Sequence, residues 1–442
     1  MEKAKNKVVA KTLPGFMELL PDEQIKFNYM LDKIKSTYEK YGFLPLDTPV
    51  VESAEVLLAK AGGETEKQIY RFNKGENDLV LRFDLTVPLA KYVSIHRNEL
   101  TFPFRRYQIG KVYRGERPQK GRFREFYQCD IDVISEGDLD ITFDAEMPSI
   151  IYKLFTEFGF KDFTIHVNNR KILNGFFEDL DLSEKITEIL RIIDKIDKIG
   201  VDNVKAELGK LDIESEKIEK IISFIKIEGS NDEKIAKLGN LGIKNELFNL
   251  GLSQIKDLIK YAILFGIPEN YIELDLSIAR GLDYYTGTVY ETFLNDYRQL
   301  GSVCSGGRYE HLTETYCDNN FQGVGISIGI TRLFDQLSEL NLIDINEQSI
   351  SKVLVVSMDE KIDECIKVAT ELRNNNIPTE VFMQNKKIKN KFKYADKLQI
   401  PYVVVIGEDE IKNNTVSLKD MKTGEQKKIS REKISEELLN LI

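Results

Sequence analysis

Two stretches of alternating apolar and polar residues, joined by a polar loop, constrain the fold of this chain more than any other sequence feature. Residues 102–114 and 124–134 each place apolar and polar side chains in turn, which is the period of a β-strand. The loop between them is polar and contains Gly121. Two such runs around a short glycine-containing loop predict a long antiparallel hairpin.

One face of the second strand is unusually polar. Phe126, Gln128, Asp130 and Asp132 recur at every second position, so their side chains share one face. A core is not built from three polar or acidic side chains in a row, and for the row alone a solvent-facing surface is the simpler explanation. The loop places basic residues beside this face, namely Arg117, Lys120, Arg122 and Arg124. Cations that suit phosphate next to acceptors that suit an amine or imidazole predict a site for two unlike ligands.

Length and composition predict a soluble protein of two or three domains. The chain has 442 residues, of which 42% are hydrophobic and 30% charged, and it lacks a long Pro/Gly/Ser-rich tract. No apolar run is long enough to span a membrane, and the first residues lack the apolar segment of a secretory signal, so we expect a cytoplasmic protein. The net charge of −10 would repel a polyanion, so any nucleic-acid site must be a local basic patch.

The cysteines and histidines give no catalytic or metal-binding pattern. The four cysteines form no C-x-x-C pair, which argues against a disulfide framework or a zinc site and favours buried, unreactive thiols. The three histidines, His96, His166 and His311, lie in no motif, and we interpret them as structural.

The chain changes character twice. Residues 168–267 are rich in Lys, Ile, Glu and Leu at helical spacing, and strand-like sequence resumes at Ile272, which predicts a helical insertion. From residue 352 strands and helices alternate, which predicts a separate α/β domain. Six lysines cluster there between Lys386 and Lys397. A solvated helix face and contact with an RNA backbone explain these lysines equally well.

The run FRRYQIGKVYRGERPQKGRFREFYQCDIDVI resembles motif 2 of the class II aminoacyl-tRNA synthetases, in the form found in the histidyl enzymes. The resemblance implies that Arg114 binds the α-phosphate of ATP, that Glu116 faces the adenine amino group and that Phe126 stacks on the adenine. Each role suits its residue, since a guanidinium forks onto phosphate and a flat ring covers a base.

A second block, RGLDYYTGTVYE followed by SVCSGGRYEHL, is similar to segments peculiar to the histidyl enzymes. The resemblance implies that Arg280 lies at the reacting carboxylate and α-phosphate, and that Tyr284 and Tyr285 close on the imidazole. A buried Tyr-rich strand with glycine turns is the alternative explanation.

A third block, LRFDLTVPLA, contains Asp84, Leu85 and Thr86 and is expected to be an extended strand with Asp84 and Thr86 pointing the same way. The family uses this position for the substrate α-amino group, sometimes with Glu in place of Asp84. With Gln128 and Asp132 it completes a pocket of hydrogen-bonding groups for an ammonium and an imidazole.

Two further blocks are similar to the remaining class II motifs. GVGISIGITRLFDQL resembles motif 3 and implies that Arg332 lies over the triphosphate, although Thr331 stands where an acidic residue often precedes this arginine. YGFLPLDTPVVES resembles motif 1, in which Pro49 belongs to a dimer interface.

The resemblance covers nearly the whole chain and implies an α+β fold. We expect a class II catalytic domain over residues 1–335, with an antiparallel sheet flanked by helices and the helical insertion at 168–267. Residues 350–442 resemble an α/β anticodon-binding domain.

The activity implied is ATP-dependent ligation of L-histidine to tRNA(His) through an adenylate, with Arg114, Arg280 and Arg332 orienting the reactants and offsetting charge. Arg117, Gln119 and Lys120 are expected to approach the tRNA acceptor end. The resemblance also implies Mg²⁺ with the ATP, through protein ligands that the sequence does not specify, and a homodimer.

Two other functions fit parts of the sequence. A regulatory paralogue in histidine biosynthesis would bind histidine without activating it, but such proteins usually lack the anticodon-binding domain and have eroded motifs. A synthetase for another amino acid, such as proline or threonine, is disfavoured by RGLDYYTG.

Overall fold

The computed structural model describes residues 9–59, 63–119, 121–193, 195–278, 285–311, 313–340, 342–343, 349–358 and 361–442. The chain divides into two compact units. One comprises residues 1–18 and 30–340, and the other comprises residues 19–29 and 341–442.

Strands and helices alternate irregularly up to residue 340, with a run of consecutive helices in the middle. In chain order they are α1 Pro21–Lys40, β1 Leu44–Pro45, β2 Val51–Ser53, α2 Ala54–Leu58, α3 Gly63–Gln68, β3 Arg71–Lys74, β4 Asn77–Leu81, α4 Thr86–His96, β5 Phe104–Tyr113, β6 Glu125–Glu136, α5 Thr142–Glu157, β7 Phe163–Asn169, α6 Arg170–Asp179, α7 Ile186–Ile193, α8 Ile196–Ile199, α9 Val201–Gly209, α10 Ser215–Ile225, α11 Asn231–Gly239, α12 Glu246–Leu264, β8 Ile272–Leu274, β9 Thr288–Leu294, β10 Cys304–Tyr309, β11 Phe321–Ile328 and α13 Ile330–Glu339.

A large mixed sheet is the framework of the larger unit. Within the described residues its strands lie in the order β1-β5-β6-β11-β10-β9-β7-β8. The outermost pairs, β1 with β5 and β7 with β8, are parallel, whereas the strands between them pair antiparallel. The hairpin that the alternating sequence predicts is β5 and β6, paired from Phe104↔Ile134 to Tyr113↔Glu125. Its length follows from the uninterrupted alternation on both sides of the loop.

The two faces of β6 have opposite chemistry. Cys129, Ile131 and Val133 are fully buried on one face. On that side the hydroxyl of Tyr38, from α1, donates a hydrogen bond of 3.0 Å to the carbonyl of Cys129. The other face carries the polar row, so the strand separates an apolar core from the site described below.

The run α6–α12 forms the predicted helical insertion between β7 and β8. Its interior is apolar, and the rings of Phe176 and Phe224 stack with centroids 3.9 Å apart. The side chain of Asn169 caps α6 by accepting a hydrogen bond from the Lys171 N–H. The amide of Asn169 also donates to Gln254 of α12 at 2.9 Å. The first and last helices of the insertion are therefore joined at its base.

The smaller unit contains an α/β domain. Its strands and helices after residue 340 are β12 Val353–Ser357, α14 Ile362–Asn374, β13 Thr379–Val381, α15 Ile388–Lys397, β14 Tyr402–Ile406, α16 Glu408–Lys412, β15 Thr415–Asp420, β16 Gln426–Ser430 and α17 Ile434–Leu441. The strand order is β13-β12-β14-β15-β16, with the first three strands parallel. Apolar side chains fill both faces of this sheet, as βαβ units require.

In the part of the chain that the structure describes, no helix is long and apolar enough to cross a bilayer.

Glycines in β10 and β11, the two strands next to β6 in the sheet, stand where a side chain would not fit. A Cβ atom on Gly306 would lie 2.1 Å from the carbonyl oxygen of Gly325, and one on Gly325 would lie 2.2 Å from the Asp132 carboxylate. Real Cβ contacts are never this short, so these positions have no room for a side chain.

We expect Gly306→Ala to destabilise the larger unit by at least about 2 kcal/mol, because the clash is with backbone and cannot be relieved by a rotamer change. Gly239→Ala is the matched control, since a Cβ at this helical position meets nothing within 4 Å, and helix propensity gains up to about 1 kcal/mol there. Urea unfolding followed by circular dichroism measures both. Equal stability of Gly306→Ala and the parent chain would show that the strands can separate at little cost.

Candidate active site

A cavity of about 480 Å³ opens on the polar face of β6. Its walls come from the hairpin, β10, β11, the start of α13 and the segment before α4. The lining residues are Gln68, Asp84, Thr86, Arg114, Glu116, Gly121, Arg122, Phe123, Phe126, Gln128, Asp130, Tyr285, Ser302, Val303, Cys304, Ser305, Ser327, Gly329, Arg332 and Leu333. The cavity brings together eight residues predicted from the motif blocks, which are Asp84, Thr86, Arg114, Glu116, Phe126, Gln128, Tyr285 and Arg332.

Arg114 is held between two aromatic rings at one end of the cavity. Its guanidinium carbon lies 4.4 Å from the ring centroid of Phe83 and 5.1 Å from that of Phe126. Its Nε donates to the carbonyl of Phe83 at 3.3 Å. Glu116 is paired with Arg122 across the loop at 3.2 Å. This end therefore combines a flat ring with oriented cations, which suits a base and its phosphates.

Arg332 and the residue before it are both held by hydrogen bonds. Its guanidinium donates to the carbonyl of Leu300. The preceding Thr331 is buried, and its hydroxyl accepts a 2.8 Å hydrogen bond from the N–H of Tyr127 in β6. Thr331 thus joins the first turn of α13 to β6. The sequence alone did not show what Thr331 does beside Arg332.

The prediction that Asp84 and Thr86 lie on an extended strand is wrong. The strand β4 ends at Leu81, and α4 begins at Thr86. The Asp84 carboxylate accepts hydrogen bonds from the N–H groups of Thr86 and Val87, at 3.1 and 2.9 Å. A carboxylate that bonds the first N–H groups starts a helix, and Pro88 is tolerated in that first turn. Both side chains nonetheless line the cavity.

Asp132 lies behind the cavity rather than in its lining. Its Oδ2 pairs with Arg106 at 2.6 Å, and its Oδ1 accepts a 2.8 Å hydrogen bond from the hydroxyl of Tyr309. Arg106 is fully buried and also donates to the carbonyl of Leu85 at 3.2 Å. Leu85 is itself fully buried and is not part of the lining. In the polar row of β6, Asp130 and Asp132 are thus buried and Gln128 is half-buried, contrary to a solvent-facing surface.

Burial has the largest effect on the pKa values of the three acidic side chains Asp84, Asp130 and Asp132. Burial raises the pKa of Asp84 and Asp132, and it raises that of Asp130 to about 7. For Asp130 the guanidinium of Arg106 and a hydrogen bond from Ser327 oppose the rise, whereas the neighbouring carboxyls Asp132 and Asp84 add to it.

Tyr285 and Ile278 each accept a hydrogen bond from a side chain at the base of the insertion. The Arg170 guanidinium donates to the carbonyl of Tyr285 at 2.9 Å. The amide of Asn168 donates to the carbonyl of Ile278 at 3.1 Å. A Cβ on Gly307 would approach the Tyr285 ring to 2.8 Å, so this glycine allows the tyrosine to lie against β10.

Besides Leu85 and Asp132, five further predicted residues are absent from the cavity lining or lie outside the described residues. Arg117 and Gln119 are exposed on the hairpin loop and are absent from the lining. Arg280, Tyr284 and Lys120 fall outside the described residues.

Sequence reasoning missed several lining residues. Asp130 and Ser327 face each other in the register of β6 and β11. The period-two spacing already placed Asp130 on the face of Gln128, but the sequence analysis assigned it no role in binding. No pattern in the sequence identifies Ser302, Ser305 or Ser327 as lining residues, because they enter the cavity through strand pairing.

Comparison with known proteins agrees with this geometry. The family model for histidyl-tRNA synthetase matches residues 15–333, and that for the anticodon binding domain matches residues 352–441. The first match covers more than half of the 442 residues and includes every strand that lines the cavity.

The chain belongs to the histidyl-tRNA synthetase family.

Individual members of the histidyl-tRNA synthetase family match over almost their whole length. A histidine--tRNA ligase of Clostridium tetani is 58% identical over 97% of this chain and 98% of its own. The crystal structure of histidyl-tRNA synthetase from Nostoc superposes with a TM-score of 0.91 at 42% identity, covering 99% of this chain and 100% of that one. The family and fold class predicted from the sequence are confirmed.

One solved structure bears on the fold alone. The ATP phosphoribosyltransferase regulatory subunit/histidyl-tRNA synthetase from Bacillus halodurans has a TM-score of 0.74 but only 20% identity, over 91% of this chain and 98% of that one. The shared fold does not distinguish a catalyst from a regulator.

Asp130→Asn should become more stable relative to the parent chain as the pH rises from about 4 to 7. The folded parent holds a proton on Asp130 up to a pKa of about 7, whereas the unfolded chain loses it near 3.8. Below pH 3.8 Asp130 is protonated in both the folded and the unfolded parent chain, and its contribution to the stability of the folded state is complete. That contribution is lost as the pH rises through 7.

Urea midpoints measured in steps across this pH range test the change, with Asp138→Asn, an exposed carboxyl just after β6, as control. A stability difference between Asp130→Asn and parent that does not vary with pH would contradict it.

Proposed function

We propose that this protein ligates L-histidine to tRNA(His), using ATP to form a histidyl-adenylate and releasing AMP and diphosphate. The observation that carries the proposal is the cavity on β6, whose lining includes Arg114, Phe126, Gln128 and Asp84. Membership of a family whose curated relatives are named histidine--tRNA ligase supports it.

The nucleotide occupies the end with Arg114. Phe126 stacks on the adenine, Glu116 accepts from its amino group, and Arg114 and Arg332 hold the phosphates. The aromatic contacts of Arg114 fix its guanidinium before the ligand arrives, so little ordering is left for the reaction. MgATP is the form of the nucleotide substrate, with the triphosphate supplying most of the Mg²⁺ ligands.

The amino acid occupies the other end. Asp84 and Thr86 receive the α-ammonium, while Gln128, Tyr285 and Tyr284 surround the imidazole. Leu85 and Asp132 complete the histidine-binding set, and the Leu85 carbonyl and the Asp132 carboxylate both bind Arg106. Sites that pair buried polar groups reject analogues lacking them by roughly 10⁴ to 10⁵. Such a site needs no hydrolytic editing domain.

The chemical step is an in-line attack of the histidine carboxylate on the α-phosphate. The new P–O bond forms at that phosphorus as the bond to diphosphate breaks. Arg114, Arg280 and Arg332 orient the reactants and neutralise the charge that develops on the phosphate oxygens. No side chain has to act as a nucleophile.

Transfer to RNA uses the surfaces outside the cavity. Arg117, Gln119 and Lys120 of the hairpin loop contact the acceptor end, and the helical insertion at 168–267 faces the RNA. Residues 350–442 bind the anticodon, and residues 1–335 form the catalytic domain. A local basic loop on an acidic protein is consistent with phosphate contact.

The regulatory alternative is less supported. Regulatory paralogues usually lack the anticodon-binding domain, and the model of that domain matches residues 352–441 here. A regulator would bind histidine without catalysing ATP–pyrophosphate exchange, so that exchange reaction separates the two functions.

Arg114→Gln should lower kcat for histidine-dependent ATP–pyrophosphate exchange by about 10²- to 10³-fold, because a preorganised cation is removed from the α-phosphate. Arg97→Gln is the control, since Arg97 is half-buried outside the cavity and its side chain pairs with Glu136. Exchange that proceeds without histidine, or that Arg114→Gln leaves intact, would refute this assignment.

We also infer that the protein is a cytoplasmic homodimer. Light scattering at micromolar concentration should then give a molar mass twice the 50.9 kDa of one chain. A strict monomer with full exchange activity would contradict the dimer.

A further inference from the structure

Helix α11 of the insertion binds the backbone of the strand β8 through its side chains. In the described part of the chain β8 is the last strand of the large sheet and pairs with β7. The amide of Asn231 donates to the carbonyl of Ile272 at 2.9 Å and accepts from the N–H of Leu274 at 2.8 Å. These are the two kinds of hydrogen bond that a neighbouring strand makes to an edge strand. The amide of Asn231 therefore acts on β8 as a further strand would.

The first turn of α11 is fixed by its own cap. The hydroxyl of Ser230 accepts a hydrogen bond from the N–H of Glu233, and the Glu233 carboxylate accepts one from the N–H of Ser230 at 2.9 Å. This reciprocal capping satisfies two backbone donors at the start of the helix. Asn231 and Lys234 thus reach β8 from a backbone that is already held in place.

Lys234, one turn after Asn231, places a buried cation at the end of β8. It is 6% exposed. Its Nζ donates to the carbonyl of Leu274 at 2.7 Å and pairs with the Glu273 carboxylate at 2.7 Å. A buried ion pair contributes no more stability than well-packed apolar side chains of similar volume. Stability alone therefore does not explain a lysine here, and its directed contacts indicate a role in placing β8.

The chain between β8 and Arg280 is held at successive residues. The Asp275 carboxylate accepts hydrogen bonds from the N–H and the hydroxyl of Ser277, at 2.9 and 2.6 Å. The amide of Asn168 donates to the carbonyl of Ile278 at 3.1 Å. Arg280 follows Ile278 by two residues and lies outside the described part of the chain. Because these residues are tied together, a shift of β8 displaces the residues that precede Arg280.

The insertion also holds the chain on the other side of Arg280. The guanidinium of Arg170, the first residue of α6, donates to the carbonyl of Tyr285 at 2.9 Å. The backbone N–H of Arg170 donates to the carbonyl of Gly287, also at 2.9 Å. Both α6 and α11 pack against α12. One group of helices thus contacts both flanks of the segment to which the proposed function assigns the amino acid.

The residues assigned to the nucleotide are held by other parts of the chain. Arg114 donates to the carbonyl of Phe83, and Arg332 donates to the carbonyl of Leu300. Phe83 and Leu300 both lie outside the insertion. A change in α11 is therefore expected to act on the amino acid and to leave ATP binding unchanged.

We propose that Lys234 is a positioning residue through which the helical insertion sets the geometry of amino-acid activation, by holding the end of β8 from which the chain continues to Arg280. This inference rests on the proposed function. Lys234 is not part of the cavity lining, so it acts through the residues that follow β8. Its effect is present before any RNA binds.

The test is Lys234→Met in the full chain, measured by histidine-dependent ATP–pyrophosphate exchange without RNA. Methionine keeps the apolar part of the side chain, and the Glu273 carboxylate left behind is 46% exposed and can be hydrated. Misplacing reacting groups by about 1 Å costs up to about 10²-fold, so kcat/KM for histidine should fall on the order of 10- to 100-fold. The KM for ATP should change by less than about threefold, because the contacts of the nucleotide are retained.

Lys237→Met is the matched control. Lys237 is an exposed lysine of the same helix, and its Nζ donates to the carbonyl of Glu228 within the insertion itself. This variant loses a hydrogen bond of the same type without a change at β8. Its kinetic constants should stay within about twofold of those of the parent chain.

Glu273→Gln tests the same contact if Lys234→Met does not fold. Glutamine has the size of glutamate, and its position is partly exposed, so folding is not at risk. Loss of the charge weakens the bond to Lys234, and kcat/KM for histidine should fall about three- to tenfold with the KM for ATP unchanged. Hydrogen exchange of the β8 amides, followed by mass spectrometry, should be faster in both variants.

A loss of stability in Lys234→Met with unchanged kinetic constants would show that the lysine only stabilises the fold, and the proposal would be overturned. An equal loss for histidine and ATP would overturn it as well, and so would an equal effect of Lys237→Met. A parent chain without histidine-dependent exchange would refute the proposed function instead. The affinity for histidine, measured by calorimetry on the same variants, would then decide the role of Lys234, and an unchanged affinity would exclude it.

Discussion

The buried contact of Arg106 with Asp132 determines what the rest of the catalytic unit can do. The two residues are cross-strand partners in β5 and β6, and their side chains have almost no exposure. A buried ion pair of this kind adds little net stability, but removing one partner leaves an uncompensated charge and is strongly destabilising. Because the pair must stay together, the face of β6 that carries Asp132 stays polar. The apolar core is built on the opposite face.

The hydrophobic pattern was sufficient to predict the framework. Alternation over residues 102–114 and 124–134 predicted the hairpin, and helical spacing after β7 predicted the insertion, because both signals are local and periodic. The start of α4 was not predicted, because LRFDLTV is apolar enough to resemble a strand. The helix begins there only because the Asp84 carboxylate bonds the backbone N–H groups that follow it.

Within the site, the sequence placed residues on a face but did not assign their partners. Gln128, Asp130 and Asp132 are equivalent by spacing, yet Asp132 is taken by Arg106 and Tyr309, whereas Asp130 faces the cavity. That difference arises from strand pairing and from Tyr309, which is 177 residues from Asp132 in the chain. Single-sequence periodicity has no information on such long-range contacts, and the same holds for Ser327.

The glycines of β10 and β11 restrict how this site could change. Gly306 and Gly325 have no space for a Cβ, and the Tyr285 ring occupies the space that a side chain at Gly307 would need. Selection for a different amino acid therefore cannot add bulk from these two strands to reshape the ring-binding end. New selectivity would have to come from β6, where replacing Asp130 or Asp132 also removes a buried carboxyl and so changes how stability depends on pH.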